Sequence, residues 1–245
     1  MNAVAIIPAR YASTRFPGKP LAPILGIPMI EHVYRNVSKS KAIREVWVAT
    51  DDPRIEEAVL GFGGKCIMTS KEHQTGSDRL AEAVKKLDAD LVINVQGDEP
   101  LIRGEVLDSL VDLFLQDDTL QMATLKSKIQ DEEEFRNPNV VKVITNKFNE
   151  AIYFSRSPIP YNRDGRQVDY FKHIGVYAYT KKFLLEYVTL PQTELELAES
   201  LEQLRALENG AKIKVIETDM KLIGVDTPQD IQKVEEHLLS LGERK

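Results

Sequence analysis

A single cysteine, Cys66, stands in the whole chain, so no internal disulfide can form and a disulfide-stapled scaffold is excluded. Long hydrophobic runs are missing as well. The opening MNAVAIIP has no basic residue before its apolar stretch, which stops at Pro8, and the uncharged segment 20–30 is broken by Pro20, Pro23 and Pro28. Neither suits a secretory signal or a spanning helix, so a cytoplasmic location is expected. A basic surplus is also lacking: 32 Lys and Arg against 38 Asp and Glu give a formal charge of −6. Such a chain is a poor ligand for bulk nucleic acid or an anionic membrane, and neither partner is expected. What remains is ordinary globular material, 42% hydrophobic and 29% charged over 245 residues, enough for one large domain.

The apolar pattern predicts an α/β fold. Short runs at 3–7, 46–50 and 91–95 are rich in Val and Ile and apolar on both faces, as parallel strands covered by helices are. Between them lie helical periods through Met29, Ile30, Val33, Tyr34 and Val37, through Ile55, Val59 and Phe62, and through Leu80, Val84 and Leu87. A fourth helix is expected from Gly104 to Leu115. Asp52 followed by Pro53 reads as a helix start, as does Thr227 followed by Pro228. This rhythm predicts a doubly wound, mostly parallel sheet. After about residue 120 it changes: strands at 122–127, 140–145, 151–154, 174–179 and 212–217 suggest a mixed β/α extension. One helix through Leu197, Leu201, Leu204 and Leu207, ended by Gly210, and a last helix carrying Ile231, Val234, Leu238 and Leu241 complete the reading.

The informative segment follows the first strand. Residues 8–20, PARYASTRFPGKP, carry Arg10, Arg15 and Lys19, and no acid precedes Glu31. A cationic loop at the carboxyl end of a strand in an otherwise anionic chain concentrates small anions. Two common phosphate loops fail here. The dinucleotide fingerprint needs three glycines and the loop holds only Gly18; a P-loop needs Gly where Ser13 stands and Ser or Thr where Pro20 stands. Small and hydroxyl residues (Ala9, Ala12, Ser13, Thr14) remain, whose amides can wrap a triphosphate while Arg and Lys neutralise it. By themselves Asp98, in VQGDEP after the strand at 91–95, and Asp226, in GVDTP before the last helix, read as a turn residue and a helix-start carboxylate.

The loop resembles the signature of sugar nucleotidyltransferases, and the string IIPARYASTRFPGKPL resembles the 3-deoxy-manno-octulosonate (Kdo) cytidylyltransferase family. VATDD, HQTGSDRL, NVQGDEP, NPNVVKV, YFSRSPIP, HIGVYAY, LEQLR and GVDTP follow in the family's order, so the resemblance spans nearly the whole chain. Phe16 stands where many relatives have Leu, and the 160–173 connection is short beside some of them. The resemblance implies transfer of CMP from CTP to the anomeric 2-hydroxyl of Kdo, with release of pyrophosphate, for lipopolysaccharide assembly. It implies Mg²⁺ on Asp98 and Asp226, with Lys19 and Arg10 as further catalytic groups. Nucleotide contacts are expected from Ala9, Arg10, Ser13, Thr14, Arg15, Lys19, Thr50, Asp51, His73, Thr75, Gly76, Ser77, Gln96 and Asp98. Sugar contacts are expected from Arg79, Gln96, Arg156, His173, Tyr177, Glu202 and Gln203. One domain over 1–245 is implied, with a nucleotide-binding core (about 1–120 and 210–245) and a sugar-binding part (about 121–209) that makes a homodimer. Other readings are a CMP-sialate or amino-Kdo cytidylyltransferase, a glycosyltransferase with a DxD metal motif, and a non-catalytic nucleotide-binding protein. The loop differs from the IPARGGSK pattern of the sialate enzymes, and Asp98-Glu99-Pro100 is no DxD. A non-catalytic protein would be expected to lack a metal carboxylate or the loop lysine.

Overall fold

A computed structural model of the protein describes residues 1–12, 16–73, 75–220 and 223–242. The chain divides into two compact units, Met1–Asp112 with Leu222–Lys245, and Leu113–Lys221. The first is the parallel α/β body that the apolar runs predict. Strand β1 (Ala3–Ala9) is buried along nearly its whole length and leads through a 3-10 turn (Lys19–Leu21) to a small hairpin, β2 (Pro23–Ile24) and β3 (Ile27–Pro28). Leu25 and Gly26, both at positive φ, make the two-residue turn. Then come α1 (Met29–Val37), β4 (Glu45–Thr50), α2 (Pro53–Gly61), β5 (Cys66–Met68), α3 (Gly76–Lys85), β6 (Leu91–Asn94) and α4 (Gly104–Gln116), within which the unit boundary falls.

Strands β6, β1, β4 and β5 lie side by side, all parallel, with Val4 opposite both Val92 and Glu45 and Val48 opposite Cys66. Their inner residues are apolar because helices cover both faces. Strand β5 was not foreseen, since three residues around a cysteine carry no periodic signal. The predicted start of α2 holds: Asp52 caps it by accepting the Arg54 amide, with Pro53 first in the helix. At α3, Thr75 and Asp78 form a reciprocal capping box. Helix α3 ends at Lys85, so Leu87 lies beyond it.

The second unit contains β7 (Met122–Lys128), α5 (Glu132–Arg136), β8 (Lys142–Thr145), β9 (Ala151–Ser155), β10 (Phe171–Thr180), α6 (Lys181–Tyr187), α7 (Glu194–Glu199), α8 (Gln203–Glu208) and β11 (Ile213–Glu217). Its strands are mixed. β7 pairs parallel with β11 and antiparallel with β10, while β8 pairs antiparallel with both β10 and β9. The strand at 213–217, expected with the nucleotide-binding core, therefore belongs to this unit. The single helix expected through Leu197–Leu207 is two, because Ser200 takes a left-handed conformation (φ 52°) between α7 and α8. The break lets Glu196 and Arg205 form a buried bidentate pair at 2.8 and 2.5 Å, and it turns Leu197 out to solvent. The chain then returns to the first unit as α9 (Pro228–Ser240), capped by Thr227. Val234 and Leu238 of α9 pack on Ile24, Met29, Leu101 and Val225, whereas Leu241 is past the helix end and exposed. Among the described residues no helix is long and apolar enough to cross a membrane.

Gly104 starts α4 in close approach to the turn after α1: a Cβ there would sit 2.5 Å from the Ser40 nitrogen and 2.7 Å from the Lys39 carbonyl carbon. That contact is backbone on both sides and cannot rotate away. Gly104→Ala should therefore lower unfolding free energy by about 1–3 kcal/mol, the usual cost of overpacking, measurable as a reduced urea midpoint at unchanged slope.

Candidate active site

Parallel strands bring their carboxyl ends together, and in the first unit these ends frame a cleft of about 450 Å³. Its lining includes six of the residues expected to bind nucleotide: Ala9, Arg10, Lys19, Gly76, Gln96 and Asp98. Pro8, Ala12, Pro20 and Gly97 complete the wall. Ser13, Thr14 and Arg15 lie outside the described residues. Gly97 was not foreseen. A Cβ there would come within 3.0 Å of the Pro8 carbonyl oxygen, so only glycine lets the turn carrying Asp98 lie this close to β1.

At the centre stands Lys19. Gly18, in a left-handed conformation (φ 71°), precedes the 3-10 turn and aims this side chain inward. The Nζ donates to Asp98 Oδ2 at 2.6 Å and to the Val225 carbonyl at 2.9 Å, and lies 3.9 Å from Asp226 Oδ1. The Val225 amide in turn donates to the Asp98 carbonyl at 3.0 Å. Three segments distant in sequence thus meet at one ammonium, and the two carboxylates singled out from VQGDEP and GVDTP converge on the same cation. Such a pair of oxygen donors around a positive charge fits Mg²⁺, which takes one or two carboxylates and fills its octahedron with phosphate oxygens and water. Among the described residues no larger cluster of His, Cys, Asp or Glu is gathered for a metal cage. Glu99 sets its Oε1 beside Gly224, 3.4 Å from where a Cβ there would stand.

Arg10 leaves β1 and donates through Nη2 to the His73 carbonyl at 2.9 Å. His73 holds that position by pairing its Nε2 with Glu82 Oε2 at 2.6 Å, and Glu82 also accepts the Ser70 amide. His73 therefore meets Arg10 through its backbone carbonyl, with Glu82 of α3 as a support that no motif announces. Burial, and then the charge of Arg79, lower the Arg10 guanidinium from its ordinary value, while Asp51 and Asp78 pull the other way. It stays cationic, but a neighbouring like charge makes an incoming anion welcome.

Arg79 departs from expectation. It is fully buried, with Nη2 on Asp51 Oδ2 at 2.9 Å and Nη1 on Thr69 Oγ1 at 2.5 Å. That enclosure offers no open face to a sugar, and it also engages Asp51, expected on the nucleotide. Thr50 is buried at the end of β4, with its carbonyl taken by Thr69 and its hydroxyl by the Asp52 amide. Ser77 is buried in the first turn of α3, and the Thr75 side chain caps that helix.

The remaining expected sugar residues belong to the second unit. His173 and Tyr177 do share a face of β10, with ring centroids 5.2 Å apart, across a bulge between Ile174 and Tyr177. The Thr124 hydroxyl gives its one proton best to the Val176 carbonyl at 2.7 Å, so toward His173 Nε2, at 3.0 Å, it acts as acceptor. That assigns the ring proton to Nε2 and makes Nδ1 the basic nitrogen. Desolvation lowers the His173 pKa to about 3, so the ring is neutral at physiological pH, and burial likewise raises Tyr177 well above its ordinary value. Arg156 donates to the carbonyls of Glu199 and Pro138 at 2.7 and 3.0 Å. Gln203 is buried in α8, and the Glu202 carbonyl accepts from Tyr187 at 2.5 Å. Sequence reading passed over Lys126 and Lys142, both buried and both lowered by desolvation. Lys142 donates to the carbonyls of Asn137 and Val140. A lysine alternating with apolar residues in a strand looks solvent-facing, and only the fold reverses that.

The chain matches the family model described as cytidylyltransferase over residues 4–213. It is 52% identical to a 3-deoxy-manno-octulosonate cytidylyltransferase of Geobacter sulfurreducens over 250 residues, covering 97% of this chain and 100% of that one. The enzyme of the same name from Fusobacterium nucleatum is 53% identical over 235 residues, covering 96% of each chain. The solved structure of a CMP:2-keto-3-deoxy-manno-octonic acid synthetase complexed with CTP superposes with a TM-score of 0.95 at 47% identity, over 98% of this chain and 100% of that one. A 4-diphosphocytidyl-2C-methyl-D-erythritol synthase from Anaerococcus prevotii, 19% identical over 97% of this chain and 98% of its own, shares the fold at a TM-score of 0.64.

His173 yields a pH prediction. Its folded pKa, about 3, is below the ordinary 6.5. The contribution of the neutral ring is therefore fully present above about pH 6.5 and is lost as pH falls through that value toward the folded pKa. His173→Gln should flatten the acid side of the stability curve relative to wild type. In wild type, the imidazole resonances of His173 should show no titration between about pH 5 and 8. A midpoint near 6.5 would contradict the assignment.

Proposed function

Because the chain belongs to the cytidylyltransferase family, among the 3-deoxy-manno-octulosonate cytidylyltransferases, we infer that it transfers CMP from CTP to the anomeric 2-hydroxyl of Kdo and releases pyrophosphate. The product is the activated sugar for lipopolysaccharide assembly. The observation that carries the mechanism is the meeting of Lys19, Asp98 and Asp226 at one point beside Arg10 in the cleft.

Attack of the 2-hydroxyl on the α-phosphorus runs in line against the departing pyrophosphate, and it needs neutralised phosphates and orientation more than a strong base. An ammonium has three protons. Two point at Asp98 and Val225, leaving a third direction for a phosphate oxygen, so Lys19 can bind the triphosphate without releasing its anchors. Arg10, made anion-seeking by its burial and by Arg79, binds the phosphates from the other wall. Ala9, Gly76 and Gln96 approach the nucleoside, with the first turn of α3 offering amides. Asp98 and Asp226 are the groups that would hold Mg²⁺. When bound there, it supplies charge neutralisation at the α-phosphate and lowers the pKa of a coordinated hydroxyl. Recognition of the Kdo carboxylate and hydroxyls is assigned to Gln96 and, in the second unit, to Arg156, His173, Tyr177, Glu202 and Gln203. His173 serves as a neutral hydrogen-bond partner through Nδ1. Arg79 is reassigned to holding Asp51 and tuning Arg10. The protein works in the cytoplasm as a homodimer, a reading supported by exposed Ile152, Leu195 and Leu197 on the second unit.

A grid of nucleotides against sugars, read as pyrophosphate release, tests the assignment. CTP with Kdo should exceed ATP or GTP with Kdo by about 10²-fold or more, because a base of the wrong shape leaves buried polar groups unpaired. Comparable turnover with a purine triphosphate, or none with Kdo, would overturn it.

Substitutions test the roles. Lys19→Ala, Asp98→Asn and Asp226→Asn should each lower single-turnover product formation by about 10²–10³-fold while the far-UV circular dichroism shows the fold intact. The Asp variants should regain activity only in part at high Mg²⁺. Full activity in either at ordinary Mg²⁺ would remove that carboxylate from the ligand set.

A further inference from the structure

The loop after β1 closes on itself at a neck. Tyr11 and Gly18 are seven residues apart, yet the Gly18 amide donates to the Tyr11 carbonyl at 2.9 Å. The Tyr11 ring lies flat against the α-carbon of Gly18: a Cβ built there would be 3.1 Å from its Cζ. Lys19 follows directly, as the first residue of the 3-10 turn. On the ring sits a cation, with the Arg54 guanidinium carbon 3.3 Å from the centroid of Tyr11. Arg54 cannot wander, because Asp52 grips it in a fork, Nε on Oδ1 at 2.8 Å and Nη2 on Oδ2 at 2.6 Å. Asp52 is itself fixed as the N-cap of α2. The pairing with Asp52 raises the guanidinium above, and lowers the carboxyl below, their ordinary values.

A rigid chain of contacts therefore runs from the start of α2 to the loop lysine: Asp52 to Arg54, Arg54 over Tyr11, Tyr11 against Gly18. An exposed arginine on the first turn of a helix gains little from an ion pair alone. Stacked on an aromatic ring and forked by a carboxylate, it holds that ring in one place. We propose that Arg54 and Tyr11 are positioning residues for nucleotide binding: their stack fixes the neck of the loop and so sets where the Lys19 ammonium stands. Neither touches the reacting atoms. This rests on the reading above that Lys19 meets the triphosphate of CTP, and it predicts that the pair acts on CTP rather than on the sugar or the fold.

The test is a double-mutant cycle with Arg54→Met and Tyr11→Leu. Each single variant should raise the KM for CTP, and its Kd by calorimetry without sugar, by about tenfold. The KM for Kdo and the melting temperature should stay put. The double variant should be no worse than the poorer single one, because the two side chains form one unit. Tyr11→Leu changes no charge, so an equal effect from it excludes simple attraction of CTP by the Arg54 cation. Tyr11→Phe, which keeps the ring, should restore wild-type binding. Independently of any substrate, amide exchange at Gly18 should quicken in Arg54→Met. A wild-type KM for CTP in either single variant, additive losses in the double, or unchanged exchange at Gly18 would each overturn the proposal. If the wild type releases no pyrophosphate from CTP and Kdo, the catalytic reading has failed instead, and the exchange at Gly18 still decides whether Arg54 holds the neck.

Discussion

One ammonium group joins three distant segments of the chain at the wall of the cleft. Lys19 is contributed by a loop near the start of the chain, Asp98 by the turn after β6, and Val225 and Asp226 by the segment before α9. Without a cation between them, two carboxylates this close to a common point would repel each other and any phosphate that approached. The lysine settles that repulsion by standing between the two. Its side chain is only 17% exposed, so the reverse constraint holds too: an ammonium removed this far from water needs the carboxylates. The loop, the turn and the last helix are bound to one another by this mutual requirement.

The same balance recurs one layer away. Arg79 is entirely enclosed and is tolerated because Asp51 neutralises it and Thr69 accepts a further bond. Its charge still reaches Arg10 and, after burial, lowers it. Placement of Arg10 depends on the His73 carbonyl, which depends on Glu82 of α3. Helix α3 therefore meets the cleft twice, through Gly76 in its lining and through an acidic side chain nearly two turns further on that holds His73.

How much of this was legible in the sequence follows from what kind of interaction carries each part. The β1, β4 and β6 strands, the helices after them, and the caps at Asp52 and Thr227 rest on apolar period and local capping chemistry, and their bounds came out within a residue or two. The convergence of Asp98 and Asp226 followed from their places at a strand end and a helix start. What stayed hidden was tertiary. Arg79 looks like any cation on a helix after a glycine, and only the placement of Asp51 and Thr69 buries it. The leucines at 197, 201, 204 and 207 read as one helix because period reports faces, not backbone; the left-handed Ser200 and the Glu196–Arg205 pair nine residues apart leave no periodic trace. Lys126 and Lys142 look solvent-facing by alternation, and they are buried because the carbonyls of Asn137 and Val140 and the Thr145 hydroxyl replace water.

The neck of the loop joins these two kinds of information. A glycine at positive φ before a lysine can be suspected from the sequence Pro-Gly-Lys-Pro, but what the glycine is small for cannot. Here it is small for a tyrosine ring, and the ring is pinned from the far side by an arginine whose own partner is the cap of the next helix but one in the chain. Capping, which looks like a local device for ending a helix, thereby becomes a fixed point for the loop that carries Lys19. A side chain as long as lysine cannot place a charge to within a fraction of an ångström by its own rotamers. It can do so when its backbone is held at one end by a stack and its ammonium at the other by a carboxylate and a carbonyl.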